Sequence, residues 1–202
     1  MRVQHLALSP PEECVVHADA EADDHAVIAA SMERPEAFGE LFDRHARELH
    51  HFMSRRLGDL ADDLLGELFV TAFERRASYR AELPDARPWL YGIASNLIRR
   101  HHRAEATHYR ALSRVPLAVV MPDSSPAAVA SADAANIRPR LAEALASLKA
   151  ADRDVLLLLA WGQLAQAEAA TALGIPVGTV RSRLHRARQQ LRPILDDLQG
   201  EL

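Results

Sequence analysis

The sequence predicts an all-α protein of two small helical domains joined by a flexible linker, with a helix-turn-helix in the C-terminal domain. Apolar residues recur at three- and four-residue steps through much of the 202-residue chain, which is typical of amphipathic helices. Aromatic residues make up only 5% of the composition, and abundant Ala, Leu and Arg favour helix over sheet. Pro116, Pro122 and Pro126 fall between two periodic blocks and indicate a linker.

The prediction divides the chain into five segments. The first contains six acidic residues, one arginine and Pro10-Pro11 and shows no helical period, so we predict a flexible extension. Its negative charge makes it a candidate to mask a basic surface or to bind a regulator. The segments are the extension at 1–24, a helical domain at 25–103, the linker at 104–137, a second helical domain at 138–196 and a tail at 197–202.

In the first domain, an apolar series predicts a helix that ends at Gly58. Its members are Phe38, Leu41, Phe42, Leu49, Phe52 and Met53. A second helix is expected from about Leu60 to Arg76, followed by a polar loop from Ala77 to Arg87. The most regular helix begins near Trp89, and its predicted inner face consists of Trp89, Leu90, Ile93, Ala94, Leu97, Ile98 and His101.

The second domain ends in the most informative motif of the chain. Residues 166–173 predict a first helix, Gly174 permits the left-handed conformation that ends it, and Pro176 suits the start of the next helix. In that next helix, Val180, Leu184, Ala187 and Leu191 fall on one face, which must be buried. Five arginines and no acidic residue occur between Val177 and Arg192. This pattern indicates a helix that enters the major groove of DNA.

A second basic stripe occurs on the helix near Trp89. Asn96, Arg99 and Arg103 share an outward face, with Arg100 nearby. Cations and rings precede them at Tyr79, Arg80, Arg87, Trp89 and Tyr91. Arginine binds phosphate and rings stack on unpaired bases, so this combination favours single-stranded or melting DNA. The competing interpretation is that Trp89 and Tyr91 are packing residues with solvated arginines around them, and we favour packing for Trp89 alone.

The composition excludes several other classes of protein. Cys14 is the single cysteine, which fits a cytoplasmic setting, and no apolar run is long enough for membrane insertion. Adjacent pairs such as His101-His102 point about 100° apart on a helix and do not chelate one ion. No zinc spacing, phosphate loop or nucleophile–base arrangement occurs. We therefore expect neither an enzyme nor a metal or cofactor site.

Three segments together resemble the extracytoplasmic-function (ECF) sigma factors, the minimal initiation factors of bacterial RNA polymerase. Residues 62–69 (DDLLGELF) look like the family's polymerase-docking helix, and residues 88–96 (PWLYGIASN) resemble its promoter-melting helix. Residues 174–188 are similar to its reader of the upstream promoter element. The resemblance implies a non-catalytic factor that directs core RNA polymerase to promoter DNA and assists melting, with an anti-sigma factor as a partner.

The resemblance also implies roles for individual positions. For docking on polymerase it implies Asp62, Asp63, Leu65 and Glu67. For the melted element it implies Asn96, supported by Tyr79, Arg80, Arg87, Trp89, Tyr91, Arg99, Arg100 and Arg103. For the upstream element it implies Thr179, Arg181, Ser182, His185, Arg186 and Arg188. The alternative function is a stand-alone helix-turn-helix regulator that binds duplex DNA without polymerase.

Overall fold

The computed structural model describes residues 23–80, 85–114 and 139–200, with side chains to Pro193. Within these ranges the chain forms helices and short 3₁₀ turns without a strand, so the all-α prediction is confirmed. The helices are α1 (Asp24–Glu33), α2 (Gly39–Leu57), α3 (Ala61–Arg75), α4 (Arg87–Arg100), α5 (His102–Ser113), α6 (described over 139–147), α7 (Ala150–Ala160), α8 (Gln166–Leu173) and α9 (Val177–Gly200).

Helices α1–α5 form an N-terminal unit around the core of α2, α3 and α4. The predicted apolar series of α2 is buried at Leu41, Leu49 and Phe52, but Phe42 is 44% exposed. Its ring rests edge-on against Phe69 of α3, with 4.8 Å between the ring centroids. The three- and four-residue periodicity therefore locates the helix but overestimates the width of its buried face.

A buried carboxylate ties the start of the unit together. Asp23 caps α1 by accepting a hydrogen bond from the Ala26 backbone N–H at 2.7 Å. Asp24 is buried and accepts from His45 Nε2 of α2 and from the Ala86 backbone N–H, each at 2.8 Å. The predicted boundary of the extension at residue 24 is therefore wrong, because Asp23 and Asp24 belong to the folded unit. Residues 1–22 lie outside the described part.

The predicted linker at 104–137 is wrong in its first ten residues, where α5 continues the N-terminal unit. Glu105 and Tyr109 of α5 are each 1% exposed. The prediction failed because this helix is anchored through a buried acid and a phenol rather than through an aliphatic stripe. Residues 115–138, which hold the rest of the predicted linker, lie outside the described part of the chain.

The C-terminal unit is formed by α6–α9, and α8 and α9 make the helix-turn-helix. Gly174 takes φ +63° and ψ 36°, and the Ile175 N–H donates to the Ala170 carbonyl at 3.1 Å. This is the left-handed helix end that the sequence predicts. Val180, Leu184, Ala187 and Leu191 are all buried, so the predicted inner face of α9 is confirmed.

The tail predicted at 197–202 is helical through residue 200, because α9 continues past Pro193 to Gly200. Pro193 removes one backbone donor but does not end the helix. Among the residues that the structure describes, no helix combines the length and the apolar character needed to cross a bilayer.

The two helical domains that the sequence predicts also pack directly against each other, a contact that the prediction did not include. Helix α8 packs along α4 so closely that a Cβ added at Gly92 would lie 2.7 Å from the Ala172 carbonyl oxygen. Arg87 at the start of α4 donates to the Gly162 carbonyl at 2.6 Å. Buried apolar residues of both units form one continuous core. The sequence does not reveal this contact, because periodicity within a helix does not identify the element against which the helix packs.

The Asp24–His45 pair predicts a pH-dependent stability. Burial opposes protonation of His45, but hydrogen bonds and charge attraction from Asp24 and Glu48 raise its pKa from 6.5 to about 9. The unfolded chain loses this proton at a lower pH than the folded chain. The free energy of unfolding should therefore fall between about pH 6.5 and 9, by on the order of 2–3 kcal/mol.

Urea denaturation from pH 6 to 10 measures this slope, with His45→Gln expected to flatten it. His50→Gln is the matched control, because His50 contacts Asp62 at the surface. An equal slope in wild type and His45→Gln would contradict the prediction.

Candidate nucleic-acid interface

The outward face of α9 presents the residues that the sequence selects for duplex DNA. Ser182 and His185 are exposed near the start of the helix, with Arg181 and Arg188 beside them, while Thr179 is partly buried. Arg181 Nε donates to Gln166 Oε1 of α8 at 3.2 Å. Glu168 accepts from the Ala165 backbone N–H at 2.6 Å and so fixes the start of α8. The face is basic and is supported from behind by α8.

Arg186 is held in a way that the sequence does not reveal. Its Nε and Nη2 atoms donate to the two carboxylate oxygens of Asp152 on α7, at 3.2 and 2.8 Å. Asp152 is buried, whereas the Arg186 side chain is 54% exposed. The pair orients the guanidinium but also occupies the two-pronged edge with which arginine recognises guanine.

The second predicted stripe lies on α4 and α5. Asn96, Arg99, Arg100 and Arg103 are all exposed. Arg99 Nη2 donates to Asn96 Oδ1 at 2.8 Å, and Arg100 Nη2 donates to Glu67 of α3 at 2.5 Å. Asn96 lines a groove of about 650 Å³ between α3 and α4 and also a groove between α4 and α8. It therefore stands on a ridge that is accessible from both sides.

The aromatic residues near this stripe differ in exposure. Tyr79 and Trp89 are half-buried and meet edge-on, with ring centroids 5.2 Å apart. Burial and the nearby Asp24 raise the pKa of the Tyr79 hydroxyl to about 12. Arg80 is exposed and Arg87 is half-buried, and residues 81–84 of the predicted loop lie outside the described part.

Tyr91 corrects the sequence prediction. It is 1% exposed and packs edge-on against Phe52 at 5.0 Å between centroids. A Cβ added at Gly162 would lie 3.1 Å from its ring. The prediction that Tyr91 offers its ring to a base is therefore wrong for this structure, because the ring fills the core and the C-terminal unit covers it.

The predicted docking residues lie on α3. Asp62, Asp63 and Glu67 are exposed and Leu65 is partly buried. Asp62 contacts His50 at 2.8 Å. Sequence reasoning missed the exposed Val70 of the same helix, which is 59% exposed.

The family comparisons match both units. The model for Sigma-70 region 2 matches residues 41–107, and the model for Sigma-70, region 4 matches residues 138–191. The chain is 33% identical over 175 residues to RNA polymerase sigma factor CarQ of Myxococcus xanthus, covering 83% of this chain and 94% of CarQ. It is also 33% identical over 160 residues to ECF RNA polymerase sigma factor SigL of Mycobacterium tuberculosis, covering 78% and 88% of the two chains.

Solved structures agree with these matches. The structure of CnrH in complex with the cytosolic domain of CnrY aligns with a TM-score of 0.61 and 26% identity, covering 86% of this chain and 97% of that chain. Sigma factor RpoE in complex with the anti-sigma factor NepR, from Bartonella quintana, has the same fold, with a TM-score of 0.54 and 21% identity, over 79% of this chain and 96% of that one.

A match to region 2 as well as region 4 disfavours the stand-alone helix-turn-helix regulator. The chain belongs to the ECF sigma factors, the initiation factors that direct RNA polymerase to specific promoters and assist promoter melting.

Proposed function

We propose that three surfaces of this chain divide the work of initiation. The exposed acidic face of α3 docks on core polymerase, the stripe on α4 and α5 holds the melted strand, and the outward face of α9 reads the upstream element in the major groove. The observation that carries the proposal is the exposure of Asn96 and Arg99 on α4 and of Arg103 at the start of α5. In-vitro transcription with core polymerase and this chain tests the whole scheme.

Docking on polymerase rests on Asp62, Asp63, Leu65 and Glu67. The three acids are exposed, and Leu65 adds a partly buried apolar contact. Charge complementarity guides such an encounter and fixes its register. The proposed segments are a polymerase-binding domain at 25–103, extended by α5, and a promoter-reading domain at 138–196.

Melting is assigned to Asn96, Tyr79, Arg80, Arg87, Trp89, Arg99, Arg100 and Arg103. Asn96 has both a donor and an acceptor and stands at the mouth of two grooves, which suits a base that has left the stack. The arginines hold the phosphates on either side of it. Binding energy for the open strand then shifts the equilibrium towards the melted promoter.

Upstream reading is assigned to Thr179, Arg181, Ser182, His185, Arg186 and Arg188. Asp152 gives Arg186 a defined direction before DNA arrives. A guanine contact by Arg186 must replace or share the Asp152 contact, so part of the interaction energy is offset by that exchange.

The proposed factor has no catalytic activity of its own and works in the cytoplasm, where its polymerase is. CnrH and RpoE were solved with CnrY and with the anti-sigma factor NepR. By analogy we propose that an anti-sigma factor holds this chain inactive.

Reversal of one docking charge should lower the affinity of the chain for core polymerase. Asp63→Arg places a cation in an acidic face and is expected to weaken core binding at least ~10-fold through like-charge contact. Binding is measured by fluorescence anisotropy with labelled factor. Glu143→Arg, an exposed substitution on α6, is the matched control, and equal affinities for both variants would refute the docking assignment.

Removal of the Asn96 amide should slow melting. Asn96→Ala is expected to lower the rate of open-complex formation roughly tenfold, the worth of one to two hydrogen bonds, while core affinity stays at the wild-type value. Permanganate footprinting and a core-binding assay measure the two quantities. Loss of core binding would show that the assigned role is wrong.

Truncation of Arg186 should weaken upstream recognition by ~1–3 kcal/mol without changing affinity for a melted-strand oligonucleotide. Holoenzyme binding to promoters with an intact or a scrambled upstream element measures the effect. Arg110→Ala, an exposed arginine of α5, is the control. If Arg186→Ala lowered affinity equally on both promoters, Arg186 would be a phosphate contact rather than a base reader.

A further inference from the structure

A cluster of four buried charges joins the two units at α2, α5 and α7. Arg56 and Glu105 come from the N-terminal unit, and Arg153 and Asp154 come from the C-terminal unit. None of the four is more than 4% exposed. Each unit contributes one cation and one anion, so the cluster as a whole is neutral.

The hydrogen bonds of the cluster alternate between the units. Arg56 Nε donates to Glu105 Oε1 at 2.7 Å within the N-terminal unit, and its Nη2 crosses to Asp154 Oδ1 at 2.6 Å. Arg153 Nη2 crosses in the other direction to Glu105 Oε2 at 2.7 Å. Two charged bonds therefore run between the units, and Arg56 and Glu105 each take part in one of them.

Separation of the units would leave Arg56, Glu105 and Arg153 with a partner each and would transfer the Asp154 carboxylate to water. Arg56 would keep Glu105, and Arg153 would keep the carbonyl oxygens of Leu145 and Leu148, which it contacts at 3.0 and 3.3 Å. Water would then reach both pairs. Because burying an ion pair costs about as much as its attraction returns, such a cluster fixes the register of two surfaces without making their separation prohibitive.

The closed arrangement covers part of the melting helix. Helix α8 lies against α4 at Gly92, Gly162 lies against the Tyr91 ring, and the Arg87 guanidinium bonds the Gly162 carbonyl. Arg99 of the proposed melting stripe has its Nε 3.9 Å from Asp154 Oδ2. The surface that should face the open strand is therefore shared with the C-terminal unit.

The same arrangement brings the two DNA-reading helices close together. Helix α8 packs on both α4 and α9, and packed helices lie about 8–10 Å apart, which puts the readers within ~20 Å. Promoter elements several helical turns apart need a far larger separation, at ~34–36 Å per turn. The closed chain cannot read both elements at once.

We propose that the Arg56–Glu105–Arg153–Asp154 cluster is an interdomain latch that holds the free chain in an autoinhibited closed state, and that the latch opens when the chain engages polymerase and promoter. The proposal rests on the assigned roles of α4 and α9. The closed state requires no inhibitor protein, since both of the surfaces that meet in it belong to this chain.

Distance measurement in the free chain tests the latch. Spin labels are placed at Glu36→Cys and Gln189→Cys, both exposed positions in different units, after Cys14→Ser removes the native thiol. Double electron–electron resonance should give one narrow distance for the otherwise wild-type chain.

Two substitutions test the charge cluster. Asp154→Asn removes the carboxylate that pairs with Arg56 and Arg99 across the interface. Arg56→Lys keeps the positive charge but loses the fork that joins Glu105 to Asp154. Each should raise the open population, seen as a second and longer distance, by ~10-fold or more. Glu40→Gln, which breaks an exposed ion pair with Arg44 inside the N-terminal unit, should leave the distribution unchanged.

Gly92→Ala opens the same interface by a different route, because its methyl group would collide with the Ala172 carbonyl. It should produce the same longer distance as the charge variants. Far-UV circular dichroism confirms that each variant is folded, and a folded Arg56→Lys chain keeps the test decisive if Asp154→Asn unfolds.

A long, broad distance in the wild-type labelled chain would overturn the closed state. A shift with Gly92→Ala but with neither charge variant would overturn the latch. The measurement contains no polymerase, so a failure to direct transcription would count against the assigned surfaces and leave the distance result independent of it.

Discussion

The buried charges between α2, α5 and α7 are the constraint on which the arrangement of the whole chain depends. Arg56 reaches Glu105 and Asp154 within 2.7 Å, and the near-complete burial of all three leaves little tolerance for a shift of one unit against the other. An arginine fork has a fixed geometry, unlike an aliphatic contact that can slide. The cluster therefore determines which face of the C-terminal unit meets α4, and hence which residues of α4 are covered.

The helices themselves could be predicted from the sequence because each has a conventional reason to form. The inner face of α9 follows from Val180, Leu184, Ala187 and Leu191, and the turn before it follows from Gly174. The extent of α5 could not be predicted. Its buried residues, Glu105 and Tyr109, are stabilised by partners far along the chain, and periodicity carries no information about those partners.

The residues of the candidate site were also predictable only in part. Outward positions such as Asn96 and Arg103 could be selected from helical period alone and are exposed. The neighbours and the burial of each side chain could not be predicted from the helical period. Tyr91 and Trp89 are two residues apart on one helix, yet the first is buried in the core and the second is half-exposed. Likewise, the contact between Arg186 and Asp152 depends on the packing of α9 against α7, which the sequence pattern does not show.

One surface of α4 is suited both to contact with α8 and to binding of a polar ligand. Its small residue Gly92 permits close approach by α8, whereas Asn96 one turn later is suited to a polar ligand such as an unpaired base. Any ligand that spreads from Asn96 towards Arg87 competes with Gly162 for the same guanidinium. By linkage, whatever binds this surface weakens the contact between the units, and whatever strengthens that contact weakens binding at the surface. Contact with α8 and occupation of the Arg87 guanidinium by a ligand are therefore alternatives, and the free-energy difference between them sets how often this part of α4 is uncovered.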